Sequence, residues 1–288
     1  MRSKHFIGLE TMRKPAIFAT FILLLFAFSV NAKSLATITI GDKFAAGYTA
    51  QLRRELSKQF TLVDEDLAAA AFASFKFATA SNLSVAEASA AGEAMGCDAF
   101  IIINAGTIRR TSFEKPVYFE SYASIFVVDT RTGRLLKWLR PYVETSTEED
   151  GLPGLFKTLE ITAGEIARVF QDARADDGTF ERSTIEVLPD APEKGLRAPI
   201  PYSRIKPLYT DAAEKLGIAA TVEILVDIDA AGKILGTKIV RWAGYGLDES
   251  VEDAVRKMNW RPAFRNGKPL EMRVLLRYNF KRLELPRN

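Results

Sequence analysis

Thr221-Val-Glu-Ile-Leu-Val-Asp-Ile228, Lys233 to Trp242, Leu247 to Met258, Trp260-Arg-Pro-Ala263 and Glu271 to Lys281 follow one another over the last quarter of the chain. In the first segment Val222, Ile224, Val226 and Ile228 recur at every second position and share one face, the pattern of a strand with a buried face. Asp229-Ala-Ala-Gly232 is a turn, and the strand returns through Ile234, Ile239 and Val240. In the third segment Val251, Ala254, Val255 and Met258 recur at helical spacing, and Asp248 and Glu249 lie in the first turn, where a helix favours acid. Asn266-Gly267 is a second turn before the final strand, Glu271 to Lys281. With a short helix at Asp211-Ala-Ala-Glu-Lys-Leu216, the order is αββαβ: one helix on a three-stranded antiparallel sheet, with Trp242 and Trp260 beneath the helix.

Working back towards the N-terminus, Arg174-Ala-Asp-Asp-Gly-Thr and Leu188-Pro-Asp-Ala-Pro-Glu-Lys-Gly195 are polar and carry no apolar period, so 174–198 reads as a linker. Before it, 34–173 alternates strands and helices. Leu35 to Ile40 is a strand, 43–58 an amphipathic helix with Phe44, Tyr48, Leu52 and Leu56 on one stripe, and Phe60 to Val63 a short strand. Ser84-x-x-Glu87 is a capping box and Gly96 a helix stop. Ala99 to Ile103 reads as a strand buried on both faces. Val117 to Val128 and Arg134 to Val143 form a hairpin about Asp129-Thr-Arg-Thr-Gly133. A final helix spans 151–173. The chain is therefore α+β: an N-terminal α/β sandwich with a mixed sheet over 34–173, then a small domain over 199–288.

Composition excludes several chemistries. The chain has 288 residues, of which one is Cys (Cys97) and one is His (His5). One Cys forms no intramolecular disulfide and no Cys-rich metal cluster. His5 lies upstream of the apolar run 16–30. A chain cut after Ala32 has no imidazole for a Ser–His–Asp triad, a zinc ligand set or acid/base work. No cofactor, metal or catalytic residue is expected, and the reading is of a binding protein rather than an enzyme. Arg13 and Lys14, the apolar run and Val30-Asn31-Ala32 fit a secretory signal over 1–32 that delivers the chain to the periplasm. The other reading is a retained inner-membrane anchor facing the periplasm. Formal charge is −6 over 33–196, from 18 basic and 24 acidic residues, and +6 over 197–288, from 17 and 11. Export argues against nucleic acid as the partner of the basic half.

The small domain resembles the C-terminal domain of the TonB family of energy transducers. The resemblance rests on Pro207-Leu-Tyr209, Gly217-Ile218, the 222–227 strand, Gly232-Lys233-Ile234, Leu247-Asp248, Ala254-Val255, Trp260-Arg-Pro-Ala263, Asn266-Gly-Lys-Pro269 and the strand ending at Phe280. It departs from the family at Thr210 and Ala220, where Pro and Gly are usual, and at Lys206, where well-known members carry a Gln that touches the transporter. The apolar leader has no His, and no Pro-rich spacer follows it. The resemblance implies that a short peptide of a cell-envelope protein, such as an outer-membrane transporter, adds beside the final strand. The candidate peptide-binding residues are Arg273, Leu275, Arg277 and Lys281, with Lys206. Arg273, Arg277 and Lys281 share one face. They favour an acidic peptide, or else they keep an edge soluble. If the leader is retained, the resemblance also implies inner-membrane proton-channel partners. The N-terminal module, through Phe60 to Asp64, Gly96-Cys-Asp98 and Val128-Asp-x-x-Thr-Gly133, is similar to the N-terminal domain of TolB and to CsgG and LpoB. That similarity implies an alternative function, a periplasmic envelope-assembly adaptor with no energy coupling.

Overall fold

The computed structural model describes residues 33–173, 185–189 and 191–281. The signal or anchor read over 1–32, most of the first half of the linker stretch and the chain beyond Lys281 lie outside the described residues. Strand β1 (Ser34–Ile40), helix α1 (Lys43–Leu56), β2 (Thr61–Leu62), α2 (Glu65–Ala73), α3 (Val85–Met95), β3 (Ala99–Arg110), β4 (Tyr118–Asp129), β5 (Leu135–Leu139), β6 (Tyr142–Thr145), α4 (Gly151–Phe156) and α5 (Leu159–Asp172) make the N-terminal module. Its sheet runs β2-β1-β3-β4-β5, with β6 also on β4. β1 is parallel to β2 and β3, and the remaining pairs are antiparallel. The segment read as one strand, Arg134 to Val143, is two. Pro141 has no N–H to give the ladder, so β5 ends at Leu139 and pairing resumes at Tyr142.

Local chemistry fixes several joints. Ser84 and Glu87 form the capping box of α3, and Gly96 closes that helix in the left-handed conformation at φ 66°. Asp98 accepts from the Ser34 N–H and hydroxyl, each at 2.8 Å, tying the start of β3 to β1. Those bonds hold its carboxyl below the usual range. Asp129 accepts from the Thr132 N–H and hydroxyl at 3.0 and 2.7 Å and shapes the hairpin that ends at Gly133.

The second module contains β7 (Glu186–Val187), β8 (Leu196–Arg197), β9 (Ile200–Pro201), α6 (Asp211–Leu216), β10 (Ala220–Ile228), β11 (Ile234–Arg241), α7 (Leu247–Arg256), β12 (Trp260–Arg261), β13 (Ala263–Arg265), β14 (Lys268–Leu270) and β15 (Met272–Phe280). The main sheet is β11-β10-β15-β7. β10 is antiparallel to β11 and β15, and β7 is parallel to β15. Val222, Ile224, Val226 and Ile228 of β10, with Met272 and Val274 of β15, are buried in one cluster with Val251, Val255 and Met258, and Trp242 and Trp260 are buried there too. The second half of the stretch read as a linker is built into the fold. β7 pairs with β15, and β8 with β13. Strands of two residues have no period for the sequence to display.

The two faces of the N-terminal sheet bury different things. One face, with Ile101, Ile103, Ile125 and Val127, packs on α1 and α5. The other, with Ile38, Phe100, Ile102, Phe126 and Val128, shares a single buried cluster with α2, α3 and the core of the C-terminal sheet. The turn between β11 and α7 enters this face. Trp242 and Tyr245 lie 5.9 and 5.5 Å from Phe126, and Tyr245 lies 4.9 Å from Trp138. Gly244 passes so close, at φ 70°, that a Cβ there would meet Phe126 at 2.6 Å. Trp242 Nε1 donates to the Gly133 carbonyl at 3.0 Å. Asn82 completes the seam. Its amide donates to the carbonyls of Thr221 and Trp242 at 2.8 and 2.7 Å and accepts from the Thr221 N–H at 2.9 Å.

Asp248 holds that turn from below, accepting from the N–H groups of Ala243 and Gly244 at 2.9 and 2.7 Å. Burial pushes its carboxyl up to about 7, against the pull of those two donors. A raised acid binds a proton in the folded chain that the unfolded chain has released, so its contribution to stability falls as pH rises from about 4 to about 7. Urea unfolding at about pH 5 and about pH 8 should show the higher stability at the lower pH. Asp248→Asn should lose that difference. An equal slope in the variant would assign it to other groups.

Candidate functional site

The candidate binding residues lie on or beside β15, and the register shows how each is used. Arg273, Leu275, Arg277 and Asn279 stand opposite Asp227, Leu225, Glu223 and Thr221 of β10, on the sheet face away from α7. Met272, Val274, Leu276 and Tyr278 point to the core side. The Leu188 N–H donates to the Arg273 carbonyl at 2.9 Å, so the backbone groups of Arg273 face away from β10. By the alternation of a strand, those of Leu275, Arg277 and Asn279 face the same way. Among the described residues, β7 covers this edge at Met272 and Arg273, and no strand pairs with it from Val274 to Phe280.

The cations do not form the solvent-facing row that their spacing predicts. Arg273 makes a two-pronged bond to Asp227 at 2.6 and 2.8 Å, with 18% of the Arg side chain and 2% of the Asp side chain exposed. It is a structural pair on a half-buried face. Arg277 reaches Glu223 at 2.6 Å but keeps 63% of its side chain exposed. Glu223 also meets Arg241 at 3.5 Å, and Arg241 crosses to Glu87 of the N-terminal module at 3.0 Å. Lys281 is exposed just past β15, and Leu275 is 51% exposed.

Lys206 is exposed on the extended stretch between β9 and α6. That stretch meets the end of β15 where Tyr209 stacks on Phe280 at 6.3 Å; burial there raises the Tyr278 hydroxyl above its usual range, against the pull of Arg204. The structure thus gathers Leu275, Arg277 and Lys281 along one edge that no described strand covers, and gives Arg273 to the fold. Sequence reading missed β7, which shares the edge, and Asn82, which bonds β10 to the N-terminal module. Neither has a motif. Among the described residues, no helix is long and apolar enough to cross a membrane.

Solved structures similar to parts of the chain include the solution structure of the Pseudomonas aeruginosa TonB C-terminal domain, 22% identical over 36% of this chain and 99% of that one, with a TM-score of 0.28. Others are the hypothetical protein CT253 from Chlamydia trachomatis, 12% identical, and lipoprotein GNA1162 from Neisseria meningitidis, 14% identical. Each covers 47% of this chain and 99% of its own, with a TM-score of 0.34. No curated protein matches the chain. The family model of the Gram-negative bacterial TonB protein C-terminal region matches residues 205–282, which span α6, the β10–β11 hairpin, α7 and β15. Residues 205–282 are a TonB C-terminal domain.

Proposed function

We propose that the chain is an exported cell-envelope protein that binds an extended peptide of another envelope protein along the edge of β15. The observation that carries this reading is the run of outward N–H and C=O groups at Leu275, Arg277 and Asn279, which no described strand satisfies. Such an edge accepts a strand through main-chain hydrogen bonds, and neighbouring side chains set preference. Arg277 and Lys281 supply that preference here, because both stay exposed at the edge, whereas Arg273 is held against the buried Asp227. An outer-membrane transporter is one partner of this kind.

A second reading, an envelope-assembly adaptor without energy coupling, is favoured by the seam at Asn82 and Trp242. The C-terminal domain shares its core with the N-terminal module rather than hanging free of it.

Arg277→Pro tests the edge. Its N–H faces outward, so proline deletes a donor needed by an incoming strand and leaves the β10 ladder intact. The variant should keep its circular dichroism spectrum and lose the partner captured by a photo-crosslinker at Leu275 in envelope preparations. A transporter as the captured protein supports the first reading, and a peptidoglycan enzyme or secretion pore the second. Undiminished capture by Arg277→Pro would remove β15 as the site.

A further inference from the structure

β7 does more than extend the sheet. It lies parallel to β15, with Glu186 opposite Met272 and Val187 opposite Arg273. Three fastenings hold it there. The Leu188 N–H bonds the Arg273 carbonyl at 2.9 Å. The Glu186 carboxylate takes a two-pronged bond from Arg265 at 2.8 and 2.5 Å. Leu188 packs on the core. Arg265 also meets Glu193 at 3.2 Å, so β13 and the stretch after β7 close the same clamp. A strand adding to β15 therefore runs into fixed backbone at Arg273. Of the nine residues of β15, two are taken by β7, and among the described residues no strand pairs with the outer edge of the other seven.

The two ends of the available edge differ in chemistry. Beside β7, Val187 and Leu275 are 59% and 51% exposed and apolar, and the nearby Arg273 is already neutralised. At the other end Arg277 is mostly exposed, Lys281 is exposed, and Arg204 and Lys206 are exposed on the adjoining stretch. Thr221 and Asn279, which bond each other at 2.8 Å, bring no negative charge there. Glu223, 12% exposed, is the acid that faces Arg277.

We infer that β7 is a built-in stop that confines the partner to a short extended segment on Val274–Phe280, with an apolar side chain at the β7 end and acidic side chains at the Phe280 end. The inference rests on strand addition at β15 and adds its length and register.

Panning the chain from Lys33 to Asn288 against displayed random peptides of about seven and about twelve residues tests it, with amide exchange to map each bound peptide. Both libraries should yield the same motif of about seven residues or fewer, apolar at one end and acidic at the other. Bound peptides should slow exchange at Leu275, Arg277 and Asn279 and leave Arg273 unchanged. Moving the acids to the apolar end should weaken binding about tenfold. Glu186→Ala with Leu188→Pro removes all three fastenings, because proline has neither the N–H nor the leucine side chain, and the longer peptides should then bind about tenfold tighter than the shorter. Long peptides that displace β7 from the unmodified chain, with changed exchange at Met272 and Arg273, would overturn the stop while leaving strand addition standing. Enrichment of no peptide sensitive to Arg277→Pro would overturn strand addition itself.

Discussion

Trp242→Ala is expected to lower the stability of the whole chain by about 3–5 kcal/mol. The indole is 2% exposed, lies against Phe126 and donates to the Gly133 carbonyl. Its removal opens a cavity between the two sheets and leaves that buried carbonyl without its donor. The loss should also appear as separation. With a protease site engineered between Asp176 and Asp177, the cut parent chain should elute as one species, because the shared core and the Asn82 bonds hold its halves together. The cut variant should elute as two. Urea unfolding and gel filtration read the two effects. A cut variant that stays whole would mean that Asn82 and the Arg241–Glu87 pair suffice to hold the seam.

Arg273→Glu is expected to cost about 3 kcal/mol, and Arg277→Glu about 0.5–1 kcal/mol. The two arginines look alike in sequence, four residues apart on one face of one strand. The first variant leaves Asp227 buried without its partner and sets a second carboxylate against it. The second places a carboxylate near Glu223, where most of the side chain is in water and screening is strong. Thermal unfolding of the two variants side by side gives the contrast. Equal, small losses would show that the Arg273–Asp227 bonds contribute little in solution.

That contrast marks where sequence reading stops. Alternation placed β10 and β15, helical spacing placed α7, and the residues that match the TonB family placed the C-terminal domain, because each is a local pattern with a fixed period. The face shared by Arg273, Arg277 and Lys281 followed from the same period. Which cation stays exposed did not, because Asp227 and Glu223 reach them across strands, from 46 and 54 residues away in the chain. The seam was hidden for the same reason. Asn82 sits in a loop with no pattern of its own, and it meets Thr221 and Trp242 at separations of 139 and 160 residues. β7 escaped notice because two residues cannot show a period. The hairpin ending at Gly133 reads from sequence as a turn and nothing more. Its second use, as the acceptor for Trp242, belongs to the tertiary structure.

The seam also sets how the molecule carries load. A partner strand pulled along the β15 edge loads its hydrogen bonds in parallel, and so does the β10–β15 ladder behind it. From β10 the tension passes through the Asn82 amide into the loop before α3, and from the end of β11 through Trp242 into the β4–β5 hairpin. The N-terminal sheet is thus mechanically in series with the β15 edge. A pulling experiment with handles at Asn279 and in α5 should show the C-terminal domain resisting together with that sheet rather than stretching out ahead of it.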